Sequence, residues 1–213
     1  MAQAGLAQAV QTNCRTPGLC SSPILVKSMN MTSRSNSNIP KSCNEVLPNL
    51  YLGDITAAQQ TQDLIDGGIR AVVCCLREQE FPESEFHQDL EYYRVDVEDV
   101  SREPIELFWP EALEFIHDHV LRGEPVLVHC RAGVSRSAAT VIAYLMAYGD
   151  YSLHDAFFHA RKCRPMVTPN LGFMEKLCDF EAEQHETATS ISFESYKDWL
   201  SGNTLETVPK LQV

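Results

Sequence analysis

Between residues 43 and 184 the hydrophobic pattern changes period several times, and each change predicts an element. Ile69 to Leu76 is apolar apart from Arg70, and Val126-Leu127-Val128 is a second short apolar run. Such runs fit strands buried on both faces of a parallel sheet. Val46 to Gly53 reads as a short strand passing through a turn, and Glu91 to Val97 as another strand. Helical spacing takes over in between. Asp54 is placed to cap a helix over Thr56–Asp66 that Gly67-Gly68 ends. Leu113, Ile116 and Val120 mark a helix from Pro110 to Leu121, and Ser137–Tyr148 is apolar nearly all round, as in a buried helix. Ser152 with Asp155 opens a helix to Cys163, and Asn170 caps a last one through Gln184. Strands alternating with helices predict an α/β fold: a central, mostly parallel twisted sheet flanked by helices.

The two ends lack this pattern. Residues 1–42 are rich in Ser, Asn, Gln and Thr and read as a disordered tail. Residues 43–184 form the expected domain. Residues 185–213 read as a C-terminal tail in which Phe193, Tyr196 and Leu200 are spaced for a short amphipathic helix.

Composition narrows the class. No run of eighteen apolar residues exists, so no membrane-spanning helix is expected. The net charge is −12, and residues 1–42 contribute +4 with no acid, so the rest carries −16. That argues against nucleic acid as a partner. An acid-free, Ser-rich start also suits a mitochondrial transit peptide, but its arginines are few, and a solvated tail is preferred. The eight cysteines contain no Cys-x-x-Cys and no zinc spacing with His. A reducing location, cytoplasmic with the nucleus as a second possibility, is the economical expectation.

The chemistry gathers at His129-Cys130-Arg131-Ala132-Gly133-Val134-Ser135-Arg136-Ser137, between the Val126 strand and the buried helix. A loop entering a helix N-terminus aims unpaired N–H groups at one point, where the helix dipole favours an anion. Gly133 lets the loop curl, and Arg136 adds a planar fork matched to two phosphate oxygens. Cys130 lies at the floor, where positive surroundings favour the nucleophilic thiolate. Residues 131–136 are therefore the expected phosphate-binding set. A serine-hydrolase elbow does not fit, because Gly133-Val134-Ser135 lacks the second glycine.

The string His-Cys-x-x-Gly-x-x-Arg-Ser resembles the signature loop of cysteine-dependent protein tyrosine phosphatases, and its Ala-Gly-Val-Ser-Arg-Ser-Ala form resembles the dual-specificity branch. Leu47-Pro48-Asn49-Leu50-Tyr51-Leu52-Gly53, Arg164-Pro165 and Pro169-Asn170-Leu171-Gly172-Phe173 extend the resemblance over residues 43–184. It implies a protein tyrosine phosphatase-like fold and hydrolysis of phosphotyrosine and phosphoserine/phosphothreonine through a cysteinyl phosphate. The implied partner is a phosphoprotein substrate, with a protein kinase among the candidates; oligomeric state stays open. No cofactor and no metal are expected, since Arg136 and the loop amides hold the transferring charge. Residues 1–42 are too few for the rhodanese-like domain of the MAP-kinase phosphatases, which points to the small, atypical members.

Such chemistry needs an acid to protonate the leaving oxygen. Asp96, Glu98 and Asp99 are the candidates. Asp96 alternates with Val95 and Val97 as in a strand, whereas Asp99 lies in a polar loop and precedes Ile105 by six residues, as the family's acid does. Asp99 is the expected acid, and later the base for water. Ser137 is placed to donate to the Cys130 sulfur, with a helix cap as the alternative, and His129 to orient the loop, with a core histidine as the alternative. Cys74 or Cys75 is a candidate redox partner for Cys130. Arg131 leaves a phosphoinositide or other non-protein phosphatase as an alternative, though Val134 and Ser135 supply no second basic residue. A phosphoprotein-binding module is a further alternative.

Overall fold

The computed structural model describes residues 39–185 and 189–202, with the side chain of His185 excluded. The predicted tail over residues 1–42 therefore lies outside the described residues except for its last four. Five strands make one sheet: β1 (Cys43–Leu47), β2 (Leu50–Gly53), β3 (Ala71–Cys74), β4 (Glu91–Arg94) and β5 (Val126–His129), in the order β1-β2-β5-β3-β4. The β1–β2 pair is antiparallel, turning through Asn49 at φ 66°, and the other three pairs are parallel. β5 is central. Leu50 and Ala71 flank Val126 in register, and Gly53 and Cys74 flank His129.

The apolar runs are buried as their pattern predicts, because every residue of β2, β3 and β5 is buried. The strands are shorter than the runs, however. Ile69, Cys75 and Leu76 are buried outside β3, since burial needs no ladder partner. β4 stops at Arg94; Val95 still donates to Cys74, but Val97 donates back to Val95 and turns the chain away.

The α-helices among the described residues, some between the strands and some after them, are α1 (Ile55–Gln59), α2 (Thr61–Asp66), α3 (Trp109–Leu121), α4 (Arg136–Gly149), α5 (Leu153–Cys163), α6 (Leu171–His185) and α7 (Phe193–Leu200). Asp54 caps α1, accepting from Ala57 N at 3.1 Å. The single helix expected over 56–66 is two. The Thr61 hydroxyl and the Gln60 amide close α1 on the Ala58 and Ala57 carbonyls, and α2 starts afresh to bury Leu64. α4 is buried along almost its whole length and packs on α3, α5, α6 and β5, as an all-round apolar helix must.

The segment expected as a C-terminal tail carries core residues. α7 packs on α6, Tyr196 is fully buried against Phe157 and Trp199, and its hydroxyl donates to Pro169 O at 2.7 Å. Leu200 is exposed, so the buried face is Tyr196 with Trp199 rather than Tyr196 with Leu200.

Candidate active site

β5 ends at His129 and α4 begins at Arg136, so residues 130–135 form a six-residue loop at the carboxyl end of the central strand. Gly133 takes φ 67°, and a Cβ there would approach the Gly53 carbonyl to 2.5 Å; only glycine lets the loop pass β2 this closely. Ile55 N donates to Arg131 O at 3.2 Å and Thr168 N to Val134 O at 2.8 Å. These contacts pull loop carbonyls outward.

The amides face the other way, toward Cys130, which is 2 % exposed. Gly133 N donates to its sulfur at 3.2 Å and the Ser137 hydroxyl at 3.1 Å. Burial pushes the thiol up. The Ser137 hydroxyl, the Ser137 and Val134 amides and the Arg136 charge outweigh it, and the net shift is downward, toward the thiolate. Ser137 lies inside α4 and is no cap.

Arg136 is held by a residue that carried no signal in the sequence. Its Nη1 donates to Glu80 Oε2 at 2.6 Å and to Val97 O at 3.2 Å, while its buried Nε has no hydrogen-bond partner. Glu80 thus anchors one edge of the guanidinium and leaves the Nε edge to the loop. The same carboxylate takes Arg131 Nη2 at 3.1 Å and Nε at 3.3 Å. Burial raises the Glu80 carboxyl, but the hydrogen bond and charge of Arg136, with the Arg77 amide and Arg131, bring it below its ordinary value. Within a charged loop Glu80 resembles its neighbours Glu78 and Glu83. Only the tertiary approach of residues 77–81 to the phosphate loop separates it from them.

Asp99 lines the same cleft of about 640 Å³ as Cys130 and Arg136. Its Oδ1 accepts from Ser135 Oγ at 2.6 Å and Asn170 Nδ2 at 2.8 Å, and its Oδ2 is 4.0 Å from Arg136 Nε. Asn170 also caps α6, its Oδ1 accepting from Phe173 N at 3.0 Å, and its backbone N–H donates to Ser135 Oγ. A Cβ at Gly172 would run into the Ser101 carbonyl, so the Asp99 loop lies flat on the start of α6. Asp96 is exposed between buried Val95 and Val97 and does not line the cleft. Glu98 lines it but is paired with Arg77.

Arg131, Ala132, Val134 and Ser135 line the cleft too, with the Arg131 side chain 61 % exposed. His129 is fully buried, and burial lowers it to about 4, so the ring is neutral near pH 7. Its Nδ1 lies 3.4 Å from Cys130 O and its edge meets Phe81. Cys74 pairs with His129 across β3 and β5, and Cys75 N donates to His129 O. Cys75, next in register, is therefore the strand neighbour of Cys130; its Sγ contacts Thr140 Oγ1 at 3.7 Å, one turn along α4 from Ser137. Cys74 is directed to Arg94. Burial pushes both thiols up, Cys74 to about 12 and Cys75 well above its ordinary value.

A mixed, mostly parallel sheet whose central strand ends in a Cys–loop–Arg turn entering a buried helix defines the protein tyrosine phosphatase-like class. Comparison with known proteins makes the assignment finer. Residues 50–183 match the family model described as "Dual specificity phosphatase, catalytic domain". The chain belongs to that family. It is 33 % identical over 157 residues to dual specificity protein phosphatase 22 of Homo sapiens, covering 74 % of this chain and 79 % of the relative. It is 38 % identical over 142 residues to the serine/threonine/tyrosine-interacting protein of Mus musculus, covering 65 % of this chain and 64 % of the relative. Among solved structures, the human tyrosine phosphatase-like serine/threonine/tyrosine-interacting protein superposes with a TM-score of 0.63 at 36 % identity, covering 67 % of this chain and 97 % of that one.

Proposed function

We propose that this chain is a protein phosphatase that hydrolyses phosphotyrosine and phosphoserine/phosphothreonine through a cysteinyl-phosphate intermediate. The observation that carries the reading is the convergence on one cleft of Cys130, the free Nε edge of Arg136 and the Asp99 carboxyl. The Cys130 thiolate attacks phosphorus, the P–O bond to the side chain breaks, and Asp99 gives the departing oxygen its proton. Water, deprotonated by Asp99, then attacks phosphorus; the S–P bond breaks, and the Ser137 hydroxyl stabilises the released thiolate. Arg136 and the loop amides hold the equatorial oxygens throughout. No aromatic ring is among the described residues lining the cleft. The site therefore grips the phosphate rather than a tyrosine ring, which suits aryl and alkyl monoesters alike. Arg131 is engaged by Glu80, and Val134 and Ser135 are uncharged, which favours protein over phosphoinositide substrates.

The test is turnover of para-nitrophenyl phosphate and phosphopeptides by the wild type and Cys130→Ser. The wild type is expected to turn over and to yield, on rapid quenching, a phosphoenzyme whose phosphate is released by iodine, as a thiophosphate ester requires, and Cys130→Ser to lose activity yet still bind orthovanadate. Retained turnover in Cys130→Ser would remove the covalent mechanism. A second reading, a phosphoprotein-binding module, draws on the similarity to the serine/threonine/tyrosine-interacting protein. Phosphopeptide binding by a wild type that never turns over would favour it.

A further inference from the structure

One buried cation next to the phosphate loop has no part in the reaction as written. Arg164, in the Cys163-Arg164-Pro165 turn after α5, is 5 % exposed and gives its guanidinium mostly to backbone oxygens, with the Asp54 carboxylate 3.4 Å from Nη2. Its Nη2 donates to Ala132 O at 2.9 Å and its Nε to Gly133 O at 2.9 Å. At the far end Nη1 donates to Ser42 O, just before β1, and to Asn44 Oδ1, within β1, at 2.9 and 2.8 Å.

The two loop carbonyls matter because a trans peptide is planar, with its N–H opposite its C=O. The Ala132 carbonyl shares a peptide unit with the Gly133 N–H, and the Gly133 carbonyl with the Val134 N–H. Drawing both carbonyls outward turns both N–H groups inward. These amides serve Cys130: Gly133 N donates to its sulfur, and the Val134 amide favours its thiolate. Ile55 and Thr168 fix the units on either side through their own amides, which no side-chain substitution removes. Arg164 is thus the side chain that sets the middle of the cradle.

We propose that Arg164 is a positioning residue of the oxyanion cradle, acting on the phosphoryl group through the Gly133 and Val134 amides. The proposal rests on the reading of this loop as the site of phosphoryl transfer. Lysine keeps the charge but cannot span two successive carbonyls, so Arg164→Lys separates geometry from charge. Asn44→Ala cuts only the outer end of the arginine and serves as the control for a purely structural role.

Three readouts apply: orthovanadate affinity by calorimetry, the pH midpoint of Cys130 alkylation by iodoacetamide, and kcat against KM. In Arg164→Lys, vanadate binding is expected to weaken by about tenfold or more, and kcat to fall further than KM changes. The alkylation midpoint is expected to rise by about one pH unit. Asn44→Ala should keep all three near wild type. Unchanged vanadate affinity and midpoint in folded Arg164→Lys would overturn the proposal, as would equal losses in Asn44→Ala. If Arg164→Lys and Arg164→Met both fail to fold while Asn44→Ala folds, the arginine is a structural pin and the proposal is also overturned. The alkylation midpoint needs no turnover. It therefore reads Arg164 even if the wild type proves to have no phosphatase activity, a result that would count against the functional reading instead.

Discussion

At the scale of single residues, the cleft divides two carboxylates that look alike in sequence. Asp99 faces Cys130 across the cleft, held by Ser135 and Asn170, while Asp96 points to solvent. Asp99→Asn is expected to slow substrates with basic leaving groups, such as phosphotyrosine peptides, by roughly 10²–10⁴-fold. Aryl phosphates with acidic leaving groups, which depart without a proton, should suffer much less. A leaving-group series on both variants checks this: Asp96→Asn should keep the wild-type dependence, and a steepened dependence there would move the acid to Asp96. His129 gives a pH prediction for stability. Its folded value of about 4 lies below the ordinary 6.5, so between these values the unfolded chain binds the extra proton. Stability is therefore full above pH 6.5 and falls as pH drops toward 4, by about 3 kcal/mol over the window. Urea midpoints from pH 7 to 4 should fall less steeply in His129→Asn; identical slopes would remove His129 as the cause.

At the scale of elements, the turn from β5 to α4 is the most constrained piece of the chain. Gly133→Ala would place a methyl group against the Gly53 carbonyl in a left-handed conformation. The expected result is a loss of about 1–3 kcal/mol in urea unfolding and a greater proportional loss of vanadate affinity, because the loop must open to relieve the contact. Stability without loss of affinity would mean that the loop relaxes elsewhere. Some elements were legible from the chain alone. Asp54 and Ser152 cap their helices, and Asn170 caps α6, through the side-chain bonds that their residue types suggest. The break at Gln60 was not legible, since no glycine or proline marks it; it is set by where Ala57, Ala58 and Leu64 must be buried.

At the scale of the whole molecule, residues 189–200 are tied to the domain by a buried carboxylate as well as by the Tyr196 packing. Glu181 on α6 accepts from Leu153 N and Ser190 N, both at 2.6 Å, and from the Ser190 and Thr189 hydroxyls, both at 2.8 Å. Glu181→Ala would leave these donors without a partner and is expected to cost about 3 kcal/mol in urea denaturation. A change within a few tenths would show that water replaces the carboxylate. For the assembled site, chelators are expected to leave turnover unchanged, because Arg136 and the loop amides supply the positive charge that a metal would otherwise bring. Loss of activity in EDTA, restored by magnesium or manganese, would place the chemistry in another class.

The sequence by itself determined the layered α/β arrangement, the central strand Val126–His129 and the loop that joins it to a buried helix. These are local: period, capping residues and the spacing of Cys130, Gly133 and Arg136 sit within a few turns of chain. Only the tertiary structure decided that Glu80 anchors Arg136 and that Arg164 holds two loop carbonyls, since both side chains come from distant segments: Glu80 looks like its charged neighbours, and the Arg164-Pro165 pair carries no sign of what the arginine holds. It likewise decided that Cys75 rather than Cys74 lies beside Cys130, because strand register sets which of two adjacent thiols faces α4. Tyr196, 66 residues after Cys130, was spaced for a helix, but its place in the core depended on the pocket that Phe157 and Trp199 form around it. Local pattern fixes which residues form an element and where the chain turns. Long-range packing fixes which charges meet, and in this cleft those meetings orient the cradle.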